Sequence, residues 1–296
     1  MKGMNFVEID AEKGAATIER MMDDPDYVVE QKMDGTRVLI EINPEGETFF
    51  STRNGSPLKH TAATQHLPAL LTALAPIVDF CRLSRSHVII DGELMIGTGI
   101  YHAFDLPRWD IPDDTRENAA PLVHQPYRAR RRALEGLFQP LSIDDRVQIV
   151  RSASEPEEKR ALLEATRERG AEGVMIKHLA MPYESGKRVK HTVKVKHVKE
   201  ADVVVIRAER GTTGAGNPSG SATFGVFNDE GHLVRLGSCS LIGKPDVKPG
   251  DVITVAYLYR QDDGGLVQPR LRTVRHDKDM TECGFDQFPR YSREVV

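Results

Sequence analysis

The sequence predicts an α+β chain in two domains, residues 1–199 with mixed strands and helices and residues 200–296 as a small antiparallel β-barrel. Two observations predict this. Up to about residue 200, runs with strand-like alternation are interleaved with runs of helical spacing. Beyond that point only short β-runs separated by Gly-rich turns remain. A third observation, 40% hydrophobic content over 296 residues, makes two cores feasible.

In order along the chain, residues 1–26 are polar, with a short helix expected near "ATIERMM". "YVVEQK" and "TRVLIEI" are rich in β-branched residues and read as strands around the turn "MDG". "ETFFSTRNG" reads as a strand closed by the turn pair Asn54-Gly55. Leu67, Leu70, Leu71 and Leu74 then recur at helical spacing. "HVIIDGELMIG" is a strand expected to break at Asp91-Gly92, and "IYHAFDLPRWD" one expected to end before Pro107. "YRARRRALEGLF" is a helix with a basic face, on which Arg128, Arg130, Arg131 and Arg132 are expected to be exposed. "SEPEEKRALLEATRERG" is a second helix, with a Ser cap, Pro near its start and Gly170 at its end. "AEGVMIKHL" and "HTVKVKHVKE" are strands. Five or so short strands then follow in under 100 residues, as in an OB-fold barrel, with residues 211–221 as a Gly/Ser surface loop that lacks a P-loop ending.

The formal net charge is only −4, so any case for nucleic acid rests on local patches. Such a patch exists: Lys177, Lys187, Arg188, Lys190, Lys194, Lys196 and Lys199 face a single acid, Glu184, between residues 177 and 199. Cys81, Cys239 and Cys283 form no CxxC pair, and the histidines show no HExxH spacing, so a zinc site or disulfide framework is not supported. The first residues hold no apolar signal run, and no segment has the length of a membrane span. A reduced, cytoplasmic setting is expected.

One stretch needs a chemical explanation. "EQKMDGTRVLI" gathers Lys32, Asp34 and Arg37 where a strand meets a turn. A charged hairpin would account for it, since Asp-Gly favours turns. Further fragments follow in order: "STRNG", "DGEL", "YHAFD", "EGVMIK", "VKVKH" and "PRLRTVRHDK". Each is weak alone. Together and in this order they resemble the covalent nucleotidyltransferases, the superfamily of ATP-dependent DNA ligases, RNA ligases and mRNA capping enzymes, marked by a KxDGxR core. The resemblance runs from about Glu30 to Lys278.

The resemblance implies an ATP-grasp-like nucleotidyltransferase domain of antiparallel sheets and helices over 1–199, then an OB-fold over 200–296. It implies that Lys32 is the nucleophile that takes the nucleotide as a phosphoramidate. A free lysine has a pKa of about 10.4, so its amine must be deprotonated by its surroundings. Glu30 matches the position that reads the adenine amino group. Arg37 and Arg53 match arginines that hold ribose and a phosphate-bearing end, for which a guanidinium is suited. Glu93 matches the ribose-contacting carboxylate and, with Glu172, a hard-oxygen donor for Mg²⁺ or Mn²⁺. Phe104 matches the aromatic that stacks on the purine. Lys194 and Lys196 alternate onto one strand face and match the α-phosphate clamp. Asp34 is a lesser catalytic candidate that could simply shape the turn, and Asp91 is read as structural. Arg275, Asp277 and Lys278 match an OB-domain element that orients pyrophosphate.

Among the branches, the basic belt and the following barrel favour a polynucleotide substrate. Lys187, Arg188 and Lys190 are its candidate DNA contacts. Thirty-one residues precede Lys32, too few for the nicotinamide-mononucleotide domain of NAD-dependent ligases. Thr192 and Val193 stand where many ligases have an aromatic before the Lys-x-Lys pair. The expected function is an ATP-dependent DNA ligase of minimal two-domain form, acting as a monomer on nicked duplex DNA in replication, repair or recombination, in a bacterial or phage-infected cell. The alternatives are an mRNA capping guanylyltransferase or an RNA ligase.

Overall fold

The computed structural model describes residues 1–9, 14–59, 62–110, 121–141, 143–212, 214, 216–261 and 263–288. The chain divides into two compact units, Met1–Lys196 and His197–Val296. The first contains β1 (Asn5–Ile9), α1 (Ala15–Asp23), β2 (Tyr27–Gln31), β3 (Thr36–Ile42), β4 (Thr48–Thr52), α2 (Leu67–Ala73), α3 (Ala75–Ser84), β5 (His87–Leu94), β6 (Tyr101–Asp110), α4 (Tyr127–Phe138), β7 (Val147–Ile149), β8 (Ser152–Ala153), α5 (Pro156–Glu168), β9 (Gly173–His178) and β10 (Arg188–Lys196). The second contains β11 (Lys199–Thr212), β12 (Pro218–Phe227), β13 (Leu233–Ser240), β14 (Val252–Tyr257) and β15 (Arg270–Arg275).

The first unit holds two five-stranded sheets, ordered β1-β10-β9-β2-β8 and β4-β3-β5-β6-β7. They are antiparallel except at β1–β10 and β6–β7, which are parallel. The strands flanking "MDG" are not a hairpin: β2 pairs with β8 and β9, whereas β3 pairs with β4 and β5. Residues 32–35 therefore carry the chain from one sheet to the other.

Period-two alternation assigns each strand two faces. In β9 and β10, Val174, Ile176, Val193 and Val195 pack with Ile18 and Met22 of α1 and with Leu162 and Leu163 of α5. The intervening Met175, Lys177 and Lys194 line a cavity. In the other sheet, Val38, Ile40, Ile90 and Leu94 pack on Leu70, Leu74, Ile77, Cys81 and Leu134 of α2–α4, and Arg37 and Glu93 line the same cavity. Each sheet is thus backed by helices on its apolar face.

Several local expectations change. Strand β1 was not legible in the polar N-terminal stretch, because it rests on parallel pairing with β10. Strand β5 runs through Asp91-Gly92 unbroken, with register shifts on either side of Asp91 against β6. A Cβ on Gly92 would lie 2.6 Å from the Tyr101 hydroxyl and from the His102 carbonyl, so glycine serves close strand approach here. Strand β6 passes through Pro107 because the ladder shifts register there and β7 pairs only with Tyr101–Ala103. The helical run of leucines is two helices meeting at Leu74, and α5 begins after Glu155 without a side-chain cap. Most of the Gly/Ser stretch is hairpin, since Thr212 pairs with Pro218, and its positions 213 and 215 lie outside the described residues.

The second unit is a five-stranded antiparallel sheet ordered β13-β12-β11-β14-β15 around Val203, Phe224, Leu236, Ile253 and Leu271. One buried carboxylate organises its β11–β15 side. Asp202 accepts from Thr254 Oγ1 at 2.6 Å, and from Arg275 Nη1 and Lys278 Nζ at 2.9 Å each. Burial alone would raise its pKa, but the Thr254 hydroxyl and the two cations outweigh this and hold it below the usual carboxylate range. A depressed carboxylate stabilises the fold above its unfolded pKa, about 3.9, and loses that contribution as pH falls through its folded value. Asp202→Asn is expected to cost roughly 1–3 kcal/mol at pH 7 and to flatten the acid-side loss of stability. Urea denaturation at pH 7 and pH 3 checks this; an unchanged pH dependence would rule out Asp202 as its source.

Candidate active site

The cavity, about 240 Å³, is lined from both sheets of the first unit: Met4, Asn5, Phe6, Glu30, Gln31, Lys32, Met33, Arg37, Arg53, Glu93, Phe104, Met175, Lys177, Arg188 and Lys194. Its centre is fixed by the crossover. The Lys32 amide donates to Gly173 O at 2.9 Å. Gly173 has φ +145°, and a Cβ there would lie 2.0 Å from Val195 O, so only glycine lets β9 come this close. Gly35 is constrained likewise, since its Cβ would lie 2.3 Å from Leu94 O. The glycines of "KMDG" and "EGVMIK" thus serve backbone approach, and their neighbours Lys32 and Glu172 are brought together as an ion pair.

Glu172 is buried, and its second oxygen accepts from Lys196 Nζ at 3.0 Å. Glu8 of β1 lies 3.3 Å from Lys194 Nζ and 4.0 Å from Lys196 Nζ, so both lysines project to one side. Glu93 is pushed up to about 7, chiefly by burial, against the opposing pull of Lys32 and Arg37. Asp34, by contrast, is exposed and outside the lining residues.

Arg37 is clamped. It donates from Nε and Nη2 to Asp91 at 2.8 and 2.5 Å, and from Nη1 to Met4 O at 2.5 Å. Burial opposes its charge, and Asp91 more than compensates, so its pKa lies above the usual guanidinium value. Tyr183 donates to Asp91 Oδ2 at 2.6 Å, completing a buried structural group around Asp91. Arg37 still borders the cavity, 5.3 Å from the Phe104 ring. Arg53 and Arg188 line the cavity from exposed positions.

The basic belt separates in three dimensions. Lys177 and Lys196 are buried beside carboxylates, Lys187 and Lys190 are exposed, and Lys199 belongs to the second unit. Arg188, expected as a DNA contact, joins the cavity. Helix α4 is likewise not a uniformly exposed basic face. Arg128 and Arg132 are exposed, but Arg130 is 1% exposed and grips Asp105 at 2.7 and 3.0 Å. Arg131 reaches Glu30 at 3.5 Å. Tyr127, Arg130, Arg131, Leu134 and Leu137 form one inward stripe at helical spacing, a signal obscured by the run of arginines. Tyr127, Glu8 and the β1 lining residues belong to no motif read from the sequence. Arg275, Asp277 and Lys278 form a cluster within the second unit, where Arg275 pairs with both Asp202 and Asp277.

Residues 100–196 match the family model described as ATP dependent DNA ligase domain. A probable DNA ligase of Streptomyces griseus is 27% identical over 293 residues, covering 90% of this chain. DNA ligase 1 of Korarchaeum cryptofilum is 41% identical over 207 residues, covering 62% of this chain. Over these stretches the chain is similar to ATP-dependent DNA ligases. It spans 53% and 35% of the lengths of those two ligases. In fold it resembles the ligase domain of M. tuberculosis LigD, with TM-score 0.52 and 21% identity over 96% of this chain and 97% of that one. It also resembles a Lig E DNA ligase, with TM-score 0.61 and 18% identity over 93% of this chain and 100% of that one. The likeness is one of fold: mixed α+β, with the five-stranded second unit consistent with an OB-fold.

The sequence resemblance to ligases implies a divalent cation. Among the described residues there is no cluster of three or more His, Cys, Asp or Glu. Mg²⁺ needs only one or two carboxylates when phosphates and water complete its shell, and the hard oxygens of Glu93 and Glu172 beside Lys32 fit that mode.

The buried pair on α4 gives a direct test. Arg130→Ala leaves Asp105 buried and uncompensated and is expected to cost about 3–5 kcal/mol. Arg132→Ala, on the exposed face, is expected to stay within about 0.5 kcal/mol. Denaturant melts of both variants check this; equal effects would refute the inward assignment.

Proposed function

We propose that this chain is the catalytic core of an ATP-dependent DNA ligase that seals 5′-phosphate/3′-hydroxyl nicks in duplex DNA. The observation that carries this reading is the pairing of Lys32 with Glu172 at a cavity bounded by Glu30, Phe104, Arg53, Arg188 and Lys194. In the first step the Lys32 ammonium, in contact with Glu172, passes its proton through that carboxylate to solvent, which leaves Glu172 an anion. The freed amine attacks the α-phosphorus of ATP, an N–P bond forms, the bond to the β-phosphate oxygen breaks and pyrophosphate leaves. Lys194 and Lys196 supply positive charge for the oxygens that gain charge in that step. In the second step AMP passes from Lys32 to the 5′-phosphate of the nick. In the third the 3′-hydroxyl attacks that phosphate, the strand is joined and AMP leaves.

Magnesium or manganese, held by Glu93 and Glu172, would neutralise phosphate charge in this site. Phe104 supplies a face for the adenine ring, a contact worth roughly 1–3 kcal/mol in comparable stacks. The roles of Arg275, Asp277 and Lys278 toward pyrophosphate rest on the sequence resemblance. A capping guanylyltransferase and an RNA ligase would share the lysine chemistry, but the relatives reported above are DNA ligases.

Lys32→Ala is expected to abolish the covalent adduct formed with α-phosphate-labelled ATP, while sealing of a nick already carrying AMP survives at reduced rate. Parallel labelling with GTP tests the capping reading. Adduct formation by the Lys32 variant would overturn the assignment of the nucleophile.

The exposed part of the belt generates a separate expectation. Replacing Lys187 and Lys190 with Ala should weaken nick binding and lower the slope of log K against log salt by roughly 0.9 per lost phosphate contact. Labelling by ATP should be unaffected in that double variant and reduced in Arg188→Ala. Binding titrations at several salt concentrations check this; an unchanged slope would return Lys187 and Lys190 to the role of solvated surface charges.

A further inference from the structure

Glu30 is 1% exposed and yet borders the cavity. Its carboxylate is held by three donors. Tyr127 Oη donates to Oε1, Arg131 Nη1 lies 3.5 Å from the same oxygen, and Lys177 Nζ lies 2.6 Å from Oε2. A carboxylate offers about four acceptor sites, so one remains. The Lys177 ammonium is saturated: besides Glu30 it donates to Phe104 O at 3.1 Å and to Tyr127 Oη at 3.2 Å. Lys177 therefore has no proton left for a phosphate, although it lines the cavity. The Tyr127 hydroxyl also lies 3.1 Å from Phe104 O. One buried network thus joins the carboxylate at the cavity edge to the backbone of the aromatic at its face.

This geometry has a consequence for base selection, and it rests on reading the cavity as a nucleotide site. We propose that Tyr127 is a positioning residue that, with Lys177, holds Glu30 as a fixed acceptor in register with Phe104, so that the cavity takes a purine with an exocyclic amine and rejects one with a carbonyl there. Burial and the Glu30 and Asp105 charges keep the Tyr127 phenol well above its usual pKa, so it remains a donor. A carboxylate held by these three donors can accept from the amine of adenine but repels the O6 of guanine. Without the hydroxyl, Oε1 loses its closest donor, the carboxylate is freer to rotate, and its alignment with Phe104 relaxes.

The test is equilibrium binding of the non-transferable α,β-methylene analogues of ATP and GTP to the full chain by calorimetry. The wild type is expected to prefer the adenine analogue. Tyr127→Phe keeps the buried ring and removes only the hydroxyl, and is expected to lower the adenine-to-guanine affinity ratio about tenfold, the scale of one hydrogen bond to a charged group. Glu30→Gln provides a second route, because its amide can donate to O6, and should lower the ratio as well. The double variant should lose less than the product of the two single effects, since both act through one carboxylate. A ratio unchanged in Tyr127→Phe, with both affinities falling together, would mean that the hydroxyl only supports packing and would overturn the inference alone. A wild type that binds neither analogue would overturn the nucleotide reading and this inference with it.

Discussion

The passage of the chain from one sheet to the other across residues 32–35 is the constraint on which the site depends. One end of the crossing is held by the hydrogen bond from Lys32 N to Gly173 O, and the other by Gly35 against Leu94 O, where a Cβ would not fit. A lysine on a hairpin would point to solvent. Here it stands between two helix-backed sheets, whose polar faces meet around a cavity. The same two contacts bring Glu172 and Glu93 beside it, so the position of the amine and the composition of its surroundings have one cause.

The second feature of the site is the pairing of its buried charges. Arg37 with Asp91, Arg130 with Asp105, Lys177 with Glu30, and Lys32 and Lys196 with Glu172 each combine a cation and a carboxylate removed from water. Desolvation makes such pairs weak contributors to stability and strong enforcers of geometry, because breaking one leaves an uncompensated charge. They form a scaffold of fixed dipoles rather than a loose reservoir of charge. The exposed cations of the lining, Arg53 and Arg188, are those open to an incoming anion. That division separates the paired, buried part of the lining around Glu30 and Lys177 from a more open part at Arg53 and Arg188.

Much of the fold was legible because period and composition carry it directly. Helix α4 covers the stretch "YRARRRALEGLF", and five strands follow residue 196. What misled was local turn and breaker chemistry. Asp34-Gly35, Asp91-Gly92 and Pro107 all read as interruptions, and each instead marks close backbone approach or a register shift. Strand β1 was invisible because its ladder partner among the described residues, β10, lies more than 180 residues away.

The sequence by itself determined the chemistry available: a lysine, its flanking acid, the Lys-x-Lys pair and the aromatic, in an order specific enough to name a family. Tertiary structure decided which of these groups meet. Arg37 turned out to be committed to Asp91, Asp34 to lie outside the cavity, Lys177 and Arg188 to belong to it, and Tyr127 to stand behind it on Glu30. The physical reason is that ordered motifs record residue types along the chain. A charge acquires its role from the partner brought within about 3 Å of it, and that partner is usually distant in sequence.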